Sequence, residues 1–166
     1  MLRTGTNSLD FDGINQMALR CPQELIRASE EDFAHQLEQV ARDILAHSEA
    51  KIIFLAGPSS SGKTSTAQLL CTRLCEGGQC CHVISTDNFF IDSDRYPKLP
   101  DGSPNFDSFE CLDLPLIRKC MTEVTQTGRT MLPAFDFAAG KQLLDQTPLQ
   151  VGPHDHIIIE GIHSLN

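Results

Sequence analysis

Residues 51–64 read Lys51-Ile52-Ile53-Phe54-Leu55-Ala56-Gly57-Pro58-Ser59-Ser60-Ser61-Gly62-Lys63-Thr64, and the fold follows from them. The first six form a short apolar run closed by turn formers, the pattern of a strand buried on both faces. The rest fits Gly-x-x-x-x-Gly-Lys-Thr, a loop that curls tightly enough to aim consecutive N–H groups at phosphate oxygens. A helix opening at Gly62 adds its N-terminus to the same anion. Lys63 supplies charge for the β- and γ-phosphates, and the Thr64 hydroxyl suits Mg²⁺. The expected nucleotide-phosphate site is therefore Gly57, Pro58, Ser59, Ser60, Ser61, Gly62, Lys63, Thr64 and Ser65, and ATP with Mg²⁺ is what it implies.

Downstream, the pattern turns helical from Gly62 to about Cys75, with Ala67, Leu70, Cys71 and Leu74 on one face and Gly77-Gly78 as the stop. Cys81-His82-Val83-Ile84-Ser85 reads as a second strand leading into Thr86-Asp87-Asn88-Phe89-Phe90. Residues 91–113 are rich in Asp, Pro, Ser and Gly, and a loop of that length in a compact domain is usually functional or disordered. Asp113 is placed to cap a helix with Pro115 in its first turn, an apolar side from Leu116 to Val124 and Gly128 as its end. Residues 129–153 read as irregular, and His156–Gly161 reads as a third buried strand. Strands alternating with helices predict right-handed crossovers and a parallel sheet with helices on both faces. Glu160, at the carboxyl end of the third strand, fits an acid that holds Mg²⁺. Asp87 lies past the end of the second strand, at the edge where ligands bind, and can accept the proton of an attacking hydroxyl.

Upstream, residues 1–28 read as a loop-rich lead-in, with Cys21-Pro22 as a turn or helix start. Ser29 is placed to cap an amphipathic helix that carries Glu30, Glu31 and Asp32 in its first turn. Phe33, Leu37, Val40 and Ile44 make its stripe, which runs to about His47. The expected organisation is a lead-in and helix over 1–50 and a core over 51–166. The chain has 166 residues, of which 40% are hydrophobic and 21% charged, which suits a globular domain and excludes wholesale disorder. A net charge of −9 argues against a nucleic-acid backbone as partner. No stretch reaches membrane-span length, the first eight residues lack a signal-peptide core, and seven cysteines read as reduced thiols, so the expected location is cytoplasmic with no membrane partner. Cys71, Cys75, Cys80 and Cys81 lack zinc-site spacing, His154 and His156 read as a loop pair, and Arg95 and Lys98 read as solvated.

Five ordered motifs resemble the uridine kinase / phosphoribulokinase family of P-loop kinases, especially its bacterial uridine kinase-like nucleoside kinase branch. They are Ala56–Thr64, Ser85–Phe90, Asn105-Phe106-Asp107, Leu132–Phe137 and Ile158–Asn166. The helix at 29–47 is similar to the one preceding the kinase core in that branch. The resemblance implies an α/β fold of P-loop NTPase type, a parallel sheet flanked by helices. It implies ATP-dependent phosphorylation of a nucleoside 5′-hydroxyl, with uridine or cytidine as the small-molecule substrate. Asp87 would match the catalytic base, working with Lys63, and Asp107 the acid that holds the ribose hydroxyls. Phe135 and Phe137 would line the base pocket, Phe90 would pack on sugar or base, and Phe106 belongs to the same acceptor motif. Thr64 and Glu160 would match the metal-associated pair.

The chain also departs from the family pattern. Phenylalanine stands at 90 and 135 where animal uridine-cytidine kinases carry tyrosine, and Gly140 stands where they carry a histidine that contacts the base. The family's strand order is 2-3-1-4-5, and this sequence supplies 2-3-1, without the later strands and the arginine-bearing lid. The P-loop strand is then expected at an exposed edge, which invites a homo-oligomer or a complementing C-terminal segment. The competing readings are a kinase of another small hydroxylated metabolite, as phosphoribulokinase and pantothenate kinase are, and a non-catalytic nucleotide-binding fragment. A GTPase switch is disfavoured because no Asn-Lys-x-Asp motif occurs.

Overall fold

The computed structural model describes residues 11–47 and 51–165. The chain divides into two compact units, Met1–Arg42 and Asp43–Asn166. In the N-terminal region the expected loop is helical instead. Helix α1 covers Phe11–Arg20 and α2 covers Pro22–Ala46. Pro22 opens α2 because its ring presets helical φ and its missing N–H costs nothing in a first turn. The Cys21 carbonyl accepts from Glu24 N at 3.0 Å and Leu25 N at 3.2 Å. Ser29 therefore lies inside α2 and does not cap it. Residues 1–10 of the expected lead-in lie outside the described residues.

The C-terminal unit is built on three parallel strands, β1 (Ile52–Ala56), β2 (Cys81–Ser85) and β5 (His156–Gly161), in the order β1-β5-β2. This is the expected 2-3-1 order, with the strand that bears Glu160 in the middle. Register pairs Leu55 and Ser85 with Glu160 on either side. Alternation gives each face its own helix. Ile157 of β5 and Ile84 of β2 join Cys120 and Val124 of α4 (Leu114–Thr127) in one cluster. The opposite face, carrying Ile158 and Glu160, meets α3 (Lys63–Glu76), which buries Ala67, Leu70 and Leu74. β5 is buried along its length, as expected of a central parallel strand. β1 is not buried on both faces. It is an edge strand, and on the α4 side Ile52 and Phe54 are 38% and 51% exposed.

Helix α4 begins and ends as its sequence predicts. Asp113 Oδ1 accepts from Leu116 N at 3.0 Å, and Gly128 closes the helix with a left-handed φ of 71°.

Two further elements follow β2. Residues 91–111 form an ordered excursion closed at its neck by a bridge between Phe90 and Leu112. Ile91 N donates to Cys111 O and Asp113 N donates to Phe89 O, each at 2.8 Å. Residues 129–150, expected to be irregular, are an antiparallel hairpin of β3 (Arg129–Asp136) and β4 (Lys141–Gln150). Its pattern was illegible for physical reasons. Pro133 and Pro148 interrupt both strands, the register shifts between Leu132 and Ala134, and β4 is largely exposed, so it lacks apolar alternation.

Candidate active site

The loop after β1 turns twice through left-handed backbone, at Ser60 (φ 59°) and Gly62 (φ 82°), before α3 begins at Lys63. These turns bring the loop back over the helix N-terminus, the arrangement that points N–H groups at an anion. Lys63 Nζ donates to Pro58 O at 2.7 Å, which sets the ammonium across the loop. Thr64, one residue into α3, donates its hydroxyl to Glu160 Oε1 at 3.1 Å. Glu160 is 2% exposed. A hydroxyl and a buried carboxylate oxygen in contact make a hard-oxygen pair suited to a magnesium ion.

Asp87 sits in the 3-10 turn Thr86–Phe89 that leaves β2, and Ser85 Oγ accepts from its N–H at 3.3 Å. β2 and β5 are hydrogen-bonded neighbours, so Asp87 and Glu160 emerge side by side at the carboxyl end of the sheet. Burial, and then the negative charge of Glu160, push the Asp87 carboxyl above its ordinary range, while Lys63 and His163 pull it back. Asp87 is thus a half-buried carboxyl within the field of Lys63.

Beside these groups lies a cavity of about 500 Å³, an ordinary size for a small-molecule site. Ser59, Lys63 and Asp87 line its phosphate side. Five aromatic rings line much of the rest: Phe90, Tyr96, Phe106, Phe135 and Phe137. They pack edge to face or tilted, with centroids 5.0 Å apart for Phe135 and Phe137, 5.6 Å for Phe90 and Phe135, and 5.9 Å for Tyr96 and Phe106. Asp107 is exposed on the same wall. The hairpin end is fastened to the excursion. Lys141 Nζ reaches Asp92 Oδ2 at 2.9 Å and Asp94 Oδ2 at 3.3 Å, Asp92 Oδ1 accepts from Gln142 N at 2.9 Å, and Ser93 N donates to Gly140 O at 2.9 Å.

The structure brings Lys63, Asp87, Phe90, Phe106, Asp107, Phe135 and Phe137 onto one cavity. Thr64 and Glu160 lie behind it, joined by their hydrogen bond. Gly57, Pro58, Ser60, Ser61, Gly62 and Ser65 form the loop and first helical turn around Lys63. Sequence reasoning missed Tyr96 and Ser93, which also line the cavity, and with them Ala138 and Ala139, in a turn whose Gly140 was singled out only through the resemblance. Tyr96 left a signal, as the one tyrosine of the chain standing in a polar, proline-rich loop. The turn left none, because the hairpin that creates it was not legible. Arg95 and Lys98 are exposed.

A phosphate loop on a parallel α/β sheet, with an acid on each of two neighbouring strand ends and a pocket beside them, is the architecture of a P-loop kinase. A solved structure described as a possible uridine kinase from Bacillus stearothermophilus aligns with a TM-score of 0.65 over 78% of this chain and 71% of its own, at 21% identity. D-glycerate 3-kinase from Cryptococcus neoformans var. grubii aligns with a TM-score of 0.58 over 76% and 52%, also at 21% identity. In sequence, residues 52–166 match the model of the Phosphoribulokinase / Uridine kinase family, and the chain belongs to that family. Uridine-cytidine kinase C of Dictyostelium discoideum is 30% identical over 115 residues, which are 69% of this chain and 23% of that protein. Against bacterial uridine kinases the chain spans about half of their length. Among the described residues no helix is long and apolar enough to cross a membrane.

Proposed function

We propose that this site transfers the γ-phosphoryl group of ATP to a nucleoside 5′-hydroxyl. The observation that carries the reading is the aromatic cavity opening directly onto Asp87 and Lys63. Rings take the base, Asp107 takes ribose hydroxyls, and the acceptor oxygen is left facing Asp87. Asp87 accepts the hydroxyl proton as the acceptor oxygen bonds to the γ-phosphorus. The bond from that phosphorus to its bridging oxygen breaks, and ADP leaves with the electron pair. Lys63 and the loop N–H groups hold the phosphates in line and offset their charge. Thr64 and Glu160 would hold the magnesium ion, which when bound adds further charge neutralisation on the phosphates.

The fold shared with a D-glycerate kinase supports a second reading, a small polyol or hydroxy acid as acceptor. Labelled γ-phosphoryl transfer to a panel of nucleosides, glycerate and sugars separates the two. The expected product is a nucleoside monophosphate, and Asp87→Asn should slow its formation by about 10²–10⁴-fold while ATP still binds. Transfer to glycerate or a sugar in preference to every nucleoside refutes the first reading.

A further inference from the structure

We infer that the cavity holds its acceptor by the faces of a planar ring and does not read the ring's edge, so purine and pyrimidine nucleosides are accepted alike. This rests on the nucleoside kinase reading above and adds its specificity. Two of the five rings, Phe106 and Phe137, are 63% and 69% exposed although they border a cavity, so large apolar faces stand ready for a flat partner. Base-on-ring stacking is tolerant of base identity because every base has a π-face.

Edge reading needs buried groups that donate or accept in a fixed sense, and away from the phosphate side, where Lys63 and Asp87 lie, the side chains of the lining offer none. It contains no amide, guanidinium or imidazole side chain. Ser93 and Tyr96 carry hydroxyls, which both donate and accept and so do not select one pattern. Asp107 accepts only, but it is exposed, and a hydrated carboxylate loses little when left unpaired. Position 140 cannot supply a reader. Its φ of 64° is left-handed, and a Cβ there would overlap the Ser93 hydroxyl. Sites that leave buried polar groups unpaired reject wrong ligands by about 10⁴–10⁵-fold, whereas small differences in shape against an apolar wall are worth about 10–200-fold, the scale taken here for a site that only stacks.

Tyr96 provides the probe, because it is the one tyrosine of the chain and lies in the cavity wall. The chain carrying 3-fluorotyrosine gives a single ¹⁹F signal. That signal is titrated with uridine, cytidine, adenosine, guanosine and ribose. The expected result is four nucleoside dissociation constants within about 200-fold of one another, with ribose weaker than all four. Phe137→Leu, at an exposed position, should weaken all four by a similar factor. A preference beyond about 200-fold for one base overturns the inference and leaves the nucleoside kinase reading standing. So does a Phe137→Leu effect confined to one base. A signal that no nucleoside moves, or that ribose moves equally, overturns that reading and the inference with it.

Discussion

Replacing Glu160 by glutamine should separate stability from metal-dependent nucleotide binding. The carboxylate is 2% exposed, accepts from the Thr64 hydroxyl at 3.1 Å, and repels the Asp87 carboxylate at the neighbouring strand end. Glutamine keeps the shape and a carbonyl acceptor for Thr64. It removes the like-charge repulsion and the cost of burying an ion. Replacing a whole buried ion pair by apolar groups of similar volume is often neutral to stabilising by about 1–4 kcal/mol, and neutralising one of two neighbouring carboxylates acts in the same direction on a smaller scale. The Lys63 ammonium already offsets part of the local charge, which places this case at the low end, about 1 kcal/mol. For a domain of this size that is a rise in Tm of about 2–4 °C. In magnesium-containing buffer ATP affinity should fall at least tenfold or so, and magnesium should no longer enhance it. Thermal melts without magnesium and titration calorimetry of ATP with and without magnesium measure the two effects. A Tm lower by several degrees would make Glu160 a structural anchor of the strand ends. An unchanged magnesium dependence would refute its place beside the metal.

Asp113→Ala removes the α4 cap and the contact from Gln142 Nε2 to the second carboxylate oxygen at 3.3 Å, and should cost about 1–2 kcal/mol in urea melts. Asp113→Asn, which keeps an acceptor for Leu116 N, should recover much of that loss, and failure to do so would remove the capping explanation. Asp155 accepts from His82 Nε2 and Gly152 N, each at 2.8 Å, and the bond from His82 is the larger cause holding its carboxyl below the ordinary range. A folded-state pKa below the unfolded one stabilises the fold above the unfolded value, and that stability is lost as pH falls through the folded value. The deficit of Asp155→Asn should therefore be about 1–2 kcal/mol at pH 7 and shrink below about pH 4. A gap that stays constant between pH 7 and 3.5 would show that the ionised carboxylate is not its source. Lys141→Met cuts the hairpin's tie to Asp92 and Asp94, so acceptor affinity should fall severalfold with ATP affinity unchanged. Equal losses for both ligands in calorimetry would deny the tie a part in shaping the acceptor cavity.

The parts of the fold that were legible in the sequence are those whose local pattern and tertiary setting agree. The run before Gly57 is a strand, the pattern after Gly62 is a helix, and His156–Gly161 is the buried central strand because its hydrophobicity is continuous. Asp113 and Gly128 mark α4 because capping is local chemistry. Legibility failed where the tertiary structure overrides the local pattern. β1 reads as doubly buried, yet the sheet order leaves Ile52 and Phe54 exposed on one face. Ser29 has cap chemistry, but Pro22 starts the helix seven residues earlier, and a serine inside a 25-residue helix costs little. The hairpin carries prolines in both strands and a left-handed Asp145, so neither alternation nor turn residues announced it. In the candidate site, the residues held by motif spacing were legible one by one. Their meeting around one acceptor was expected from the resemblance alone, because the hairpin that carries Phe135 and Phe137 there was not legible in the local pattern.

Two pieces that follow β2, the excursion at 91–111 and the β3–β4 hairpin, build most of the cavity wall away from the phosphate loop. Every group that would act on the phosphates, the metal ion or the transferred proton comes from the sheet, its first loop and the helix that follows: Lys63 and Thr64 from the start of α3, Glu160 from β5, and Asp87 just past β2. Everything else on the cavity wall, apart from Ser59 of the phosphate loop and Ile162, comes from the excursion at 90–107 or the hairpin end at 135–140. These two pieces are held to each other by Lys141, Asp92, Ser93 and Gly140, and to the sheet by the Phe90–Leu112 neck. A change in these pieces can therefore reshape the acceptor cavity without moving the phosphate groups. It follows that substitutions at Phe90, Phe135 or Phe137 should act on which acceptor binds, and substitutions at Lys63 or Glu160 on whether phosphate is held at all.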